Sequence, residues 1–199
     1  MPNFIIIEQD QYKRMPWKNG LGETLEIQRY EDNDGLRFRI SQASVVENGV
    51  FSDFSGLHRT LVLLSGNGMT LKHTSKNYSH TNDLSNALDM ARFSGGDETH
   101  ATLKNCKIED LNIMVRETDT QAKIEACVAP CSLLSSNNCT LFSNDDILFC
   151  GFYVCEDGVL EIENTVLTIG AHSMVIFSQN AHARLTKGSG VFIRITELG

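Results

Sequence analysis

Met15-Pro16-Trp17-Lys18-Asn19-Gly20-Leu21-Gly22-Glu23-Thr24-Leu25-Glu26-Ile27 sets the only tryptophan of the chain beside a lysine, an asparagine and two glycines, directly ahead of an alternating polar and apolar run. The alternation over 24–28 reads as a strand, so polar groups are delivered to a strand entrance. Glycines at such an entrance permit positive φ and let the backbone approach a ligand or another segment closely. A tight hairpin with a buried Trp17 fits the same residues, and local chemistry alone does not separate the two readings.

Working outward, residues 4–8 read as a strand, and the run 24–30 ends at the polar turn 31–35. The next strand, 37–46, carries Arg39, Ser41, Ala43 and Val45 on one face and Phe38, Ile40 and Gln42 on the other, by the two-residue period. Residues 47–49 form a turn, and a short aromatic stretch follows in which Phe51 and Phe54 flank Ser52 and Asp53. An apolar β-rich run at 59–64, closed by Ser65-Gly66-Asn67-Gly68 and answered by 69–73, predicts a hairpin. Within the polar stretch 74–92, Leu84, Leu88 and Ala91 have the spacing of one short helix. In 111–115, Asn112 and Met114 share a face. Short strands then recur near 122–128, 131–135, 139–142, 147–155, 158–162, 165–169, 173–177, 181–186 and 190–197, the regular spacing of an all-β barrel or sandwich.

A chain of 199 residues, 41% hydrophobic, can bury a core as one domain or as two small fused barrels. A net charge of -8 without a Lys/Arg cluster argues against nucleic acid as a partner, because phosphate neutralisation needs grouped cations. No apolar run has the length of a membrane span, and the N-terminus lacks a basic n-region, so a soluble cytoplasmic protein is expected. The six cysteines have C-x3-C and C-x4-C spacings, which fit neither a zinc knuckle nor a redox C-x-x-C, and read as reduced packing residues.

Three ordered motifs carry a resemblance to a known family. Trp17 to Ile27 follows the pattern W-K-N-G-G-G-x-T-x-E-I, broken by Leu21 alone. Arg39 and Ser41 are followed by Gly49 to Gly56 in the form G-x-F-S-x-F-x-G, then by Arg59-Thr60, and Asp110 to Met114 reads D-x-N-x-M. The chain resembles the HutD/Ves family of bacterial bicupins over essentially its whole length. The resemblance implies two stacked antiparallel jelly-roll-like β-barrels, here expected at 1–116 and 117–199. It also implies a link to histidine utilisation, with its small acids urocanate and formylglutamate, or to stress response. Departures from the family pattern are Leu21, Ser55 in place of a common Pro, and His58 where an Asp often precedes Arg-Thr.

A metal-binding cupin carries converging imidazoles and a carboxylate, and those positions are vacated here: Arg59 stands where the glutamate would be, and 52–57 holds no histidine. His182 in the second half is without partners, too few for a metal site. No metal, cofactor or catalytic residue is therefore assigned. The predicted ligand site in the first barrel comprises Trp17, Lys18, Asn19, Gly20, Glu26, Arg39, Ser41, Phe51, Ser52, Phe54, Arg59 and Asn112. Arg39 and Arg59, if they face inward, must meet a carboxylate or an anionic ligand, since a buried unpaired charge costs several kcal/mol. Glu26 and Asp110 are the internal carboxylates available, so a rigidifying Arg/Glu network competes with a small carboxylate metabolite held by an Arg fork. The second barrel is expected to be mainly structural. An enzyme using Lys18 or Glu26 for proton transfer and a protein-binding scaffold are the alternatives, and the sequence leaves open whether the chain forms a homodimer.

Overall fold

The computed structural model describes residues 3–17, 22–134, 146–178 and 182–198. In chain order the strands are β1 (Phe4–Ile7), β2 (Lys13–Pro16), β3 (Gly22–Asp32), β4 (Gly35–Val45), β5 (Gly49–Val50), β6 (Leu57–Ser65), β7 (Met69–Thr74), β8 (Ser79–Leu84), β9 (Met90–Ser94), β10 (Glu98–Leu103) and β11 (Ile108–Arg116). They continue as β12 (Thr120–Val128), β13 (Cys131–Leu134), β14 (Ile147–Val154), β15 (Gly158–Ile162), β16 (Thr165–Ile169), β17 (Met174–Phe177), β18 (Ala183–Lys187) and β19 (Ser189–Glu197). Among the described residues every strand pairing is antiparallel, and helical structure is confined to short 3-10 stretches such as Gln9–Gln11.

Two compact units emerge, Lys13–Thr118 and Met1–Tyr12 with Asp119–Gly199. The first is built from a six-stranded sheet, β2-β3-β4-β11-β6-β9, and a four-stranded sheet, β5-β10-β7-β8. Val45, Leu61 and Leu63 of the larger sheet meet Met69, Leu71 and Ala101 of the smaller in one apolar core, so the two sheets face each other as a jelly-roll-like barrel. The second unit repeats this plan with β1-β17-β14-β19-β12 against β13-β18-β15-β16, around Phe152, Leu160, Leu185 and Phe192. The free thiols of Cys127 and Cys150 belong to that core.

The all-β reading and most strand positions agree with the sequence, and three local expectations do not. Residues 1–12 do not join the first unit: β1 pairs with β17, register Phe4 with Phe177 and Ile7 with Met174. Phe4 and Ile6 pack against the core of the C-terminal unit, so the boundary at 1–116 is corrected at its N-terminal side. The runs at 59–64 and 69–73 do not form a hairpin, because β6 pairs with β11 and β9 while β7 pairs with β10 and β8. Gly66 and Gly68, at φ 100 and 102, turn the chain from one sheet into the other.

The expected helix in 74–92 is instead β8 and β9. Leu84 and Ala91 are buried by strand alternation, and Leu88 adopts φ 73, which a helix does not allow. Trp17 is half-buried. The strand expected at 139–142 lies outside the described residues. No helix among the described residues is long and apolar enough to cross a membrane.

Candidate functional site

The inward face of the six-stranded sheet is written by strand register. Arg39 of β4, Met114 of β11 and Arg59 of β6 lie in one row across the sheet, and Ser41, Asn112 and Leu61 form the next. Ala43 pairs with Asp110 one step further along. The period of two then points 39, 41, 43 and 45 of β4 together with 110, 112 and 114 of β11 to the same side. That side opens on a cavity of about 430 Å3 whose polar lining comes from Arg39, Ser41, Arg59, Asp110 and Asn112 and whose apolar walls include Trp17, Phe51, Phe54 and Met114. Thr24, Glu47, Asn48 and Ser52 add polar groups to the lining.

Glycine makes two of these walls possible. A Cβ on Gly22 would lie 2.4 Å from the Ser44 carbonyl and 3.0 Å from the Trp17 ring, so only glycine lets the indole lie against the strand. The Trp17 amide donates to the Gly22 carbonyl, and its indole Nε1 donates to Thr24 Oγ1 at 2.9 Å, which sets the ring's orientation. At Gly95 a Cβ would meet the Phe54 carbonyl at 2.3 Å. The Phe54 amide donates to Gly95 and the Gly95 amide donates to Leu57, which ties the aromatic loop onto the sheet.

The two arginines are held differently. Arg39 Nε donates to Glu26 Oε2 at 2.8 Å, and Lys13 and Arg29 also approach that carboxylate, at 3.9 and 3.6 Å. Glu26 does not line the cavity; it is a counter-ion beside it, which corrects its expected place among the ligand contacts. Arg59 is 4% exposed and makes no ion pair of this kind among the described residues; its guanidinium carbon lies 5.2, 5.3 and 5.0 Å from the ring centroids of Phe51, Phe54 and Phe93. Such ring faces stabilise a cation by their quadrupoles without neutralising it. Burial pushes the Arg59 guanidinium down to about 10, opposed by the field of Asp110, and it remains cationic at neutral pH.

Asp110 is 1% exposed, and burial pushes its carboxyl up to about 7, with Arg59 pulling the other way and Glu109 adding to the rise. Among the described residues four buried side-chain polar atoms lack a hydrogen-bond partner, and three of them, Arg59 Nε, Asp110 Oδ1 and Asn112 Oδ1, belong to residues lining this cavity. Buried polar groups are normally satisfied, so a cluster of orphans around one hollow calls for a polar occupant. The donor set does not suit a divalent cation. Two guanidiniums line the cavity with one buried carboxyl and the exposed Glu47, a set that repels or under-coordinates a metal, and no group of three His, Cys, Asp or Glu residues is positioned to hold one among the described residues.

Of the expected site residues, the cavity brings together Trp17, Arg39, Ser41, Phe51, Ser52, Phe54, Arg59 and Asn112. Lys18, Asn19 and Gly20 lie outside the described residues. Asp110 and Thr24 were not among the expected contacts, although both sit in quoted motifs and two residues from a predicted site member, so the two-residue period could have found them. Glu47 and Asn48 come from a turn that carries no such period. Asn48 Oδ1 accepts from the Leu103 amide at 2.8 Å, a contact between segments far apart in sequence.

Comparison with known proteins agrees with this architecture. A protein in the hutC 3' region of Pseudomonas putida, described as an uncharacterised 21.2 kDa protein, is 33% identical over 127 residues, spanning 63% of this chain and 65% of that protein. Protein Ves of Escherichia fergusonii is 34% identical over 123 residues, spanning 59% and 62%. These alignments thus cover less than two thirds of the relatives' length. Among solved structures, HutD from Pseudomonas fluorescens SBW25, in a formate condition, superposes with a TM-score of 0.79 at 24% identity, over 98% of this chain and 100% of that one. A conserved protein of unknown function from Pseudomonas aeruginosa PAO1 superposes with a TM-score of 0.78 at 26% identity over 100% of both chains. The fold is that of a bicupin. The family model for HutD matches residues 9–193, a span that contains all three motifs and most of both β units, and the chain therefore belongs to the HutD family.

Proposed function

We propose that the chain is a metal-free binding protein for a small carboxylate metabolite, seated in the cavity of the Lys13–Thr118 unit against Arg59. The observation that carries this reading is the set of unpartnered buried atoms on Arg59, Asp110 and Asn112 around one hollow of about 430 Å3, beside a cation held by aromatic faces. A carboxylate supplies acceptors for the guanidinium, and the walls of Trp17, Phe51 and Phe54 suit an apolar or planar body. The hutC region in one relative's name supports a link to histidine utilisation; an accessory or regulatory role there or in stress response, in the cytoplasm and with neither nucleic acid nor membrane as partner, is part of the same proposal. The second unit serves mainly as structure in this reading.

The test is a thermal-shift panel of formate, glutamate, urocanate and formylglutamate against neutral amides of the same shapes. A ligand at a hundred times its dissociation constant adds about 2.7 kcal/mol, a shift of several degrees. Acids should stabilise the parent, and Arg59→Met should lose the shift while keeping most of the side-chain volume. Equal shifts for acids and amides would return both arginines to a purely structural role.

An acid–base enzyme is the second reading, favoured by one observation: Asp110, in the cavity, is pushed up to about 7. Glu26 is unsuited to that work because Arg39 occupies its Oε2.

A further inference from the structure

We propose that the cavity takes up its anion together with one proton, which resides on Asp110, so that ligand binding is coupled to protonation of this carboxyl. The inference rests on the anion-binding reading and deepens it.

Charge balance inside the barrel carries the argument. On β3 and β4, Glu26 and Arg39 neutralise one another through a 2.8 Å bond. On β6, Arg59 faces the cavity, and on β11 Asp110 faces the same cavity, so one buried cation and one buried carboxyl remain. Glu47, in the turn after β4, lines the cavity, Glu109 neighbours Asp110 on its own strand, and His73 of β7 touches the Phe93 ring beneath Arg59. With Asp110 ionised, an entering monoanion would put two negative charges against Arg59, whose side chain and that of Asp110 are both buried. An uncompensated buried charge is costly, and neutralisation by a proton is the usual escape.

Geometry names the carrier. Asp110 Oδ1 is buried and without a partner. Once protonated, the carboxyl can donate an O–H to a ligand carboxylate that Arg59 also contacts, and the proton comes from solvent without any other bond being made or broken. The ionisation of Asp110, which burial moves up to about 7, means that the proton is already present in mildly acidic solution and must be acquired in mildly basic solution.

Calorimetric titration of the full chain with formate, benzoate and trans-cinnamate tests this, since the carboxyl is the only titratable group of each probe. Repeating each titration in buffers of different ionisation enthalpy counts the protons. The parent should take up about one proton per ligand at pH 8 and only a small fraction at pH 6, with affinity falling about tenfold per pH unit above pH 7. Asp110→Asn, an isosteric change whose amide donates at every pH, should bind with no uptake and a flat pH profile. Binding to the parent at pH 8 without proton uptake overturns the inference and leaves the anion reading standing. Uptake that persists in Asp110→Asn places the proton elsewhere and also overturns it. Absence of binding by all three acids overturns the inference and the anion reading together.

Discussion

Arg39 and Glu26 lie on neighbouring strands, joined by a bond of 2.8 Å from Nε to Oε2, with 12% and 8% of their side chains exposed. The pair neutralises one of the two arginines of the cavity and leaves Arg59 as the cation set among the ring faces of Phe51, Phe54 and Phe93.

The two halves of that pair are unequal. Glu26→Gln leaves Arg39 cationic, buried and near Arg59, and should cost about 3 kcal/mol or more, in the range for breaking a buried pair. Arg39→Met should cost less, because Lys13 and Arg29 still approach the Glu26 carboxylate. Urea unfolding midpoints of the two variants check the order. Equal losses would show that the remaining cations do not compensate.

Two carboxyls give opposite dependences of stability on pH. The folded Asp110 carboxyl titrates at about 7, above its ordinary range near 3.8. Between those values the folded chain holds a proton that the unfolded chain has released, so stability falls as pH rises from about 4 to 7 and levels off above. Melting temperatures at pH 5 and 8 should therefore decline less in Asp110→Asn than in the parent.

Asp32 behaves in the reverse sense. Arg116 donates to both its oxygens, at 2.8 and 2.6 Å, and these bonds hold the carboxyl below its usual range, assisted by the Asp34 backbone amide, which donates to Oδ1, and by the charge of Arg37. The stabilisation is present above the ordinary carboxylate range and is lost as pH falls through the folded value. Acid titration of Asp32→Asn should show a shallower loss than the parent, and an unchanged acid limb would remove this contact from the account.

Strand β1 belongs to the C-terminal unit through Phe4 and Ile6. Ile6→Ala should cost about 1–2 kcal/mol, below the range for a fully buried isoleucine. Hydrogen exchange should quicken in β17 and β14 while the amides of β4 and β11 stay protected. Faster exchange in the cavity unit instead would contradict the pairing.

Elemental analysis of the purified protein should find well under one equivalent of zinc, nickel, manganese or iron. The cavity presents two guanidiniums where a cation would need carboxylates and imidazoles. A full equivalent that survives mild chelation would show that the lining had been misread.

Much of the cavity wall was legible because a strand writes its faces with a period of two. Arg39 and Ser41 could be set on one face of 37–46 without coordinates, and the motifs added Arg59, Phe51, Phe54 and Asn112 to the same hollow. Composition and spacing likewise determined an all-β chain. The partner of each strand was a different matter. β1 joins β17 across about 170 residues, and β6 and β7 part into separate sheets although a turn joins them. Period and turn residues are local, whereas pairing is chosen by which apolar faces close a core together. For the same reason tertiary structure alone decided the charges: Glu26 became a counter-ion and Asp110 the poised carboxyl because burial and the nearest guanidinium, not residue type, set what each acid does.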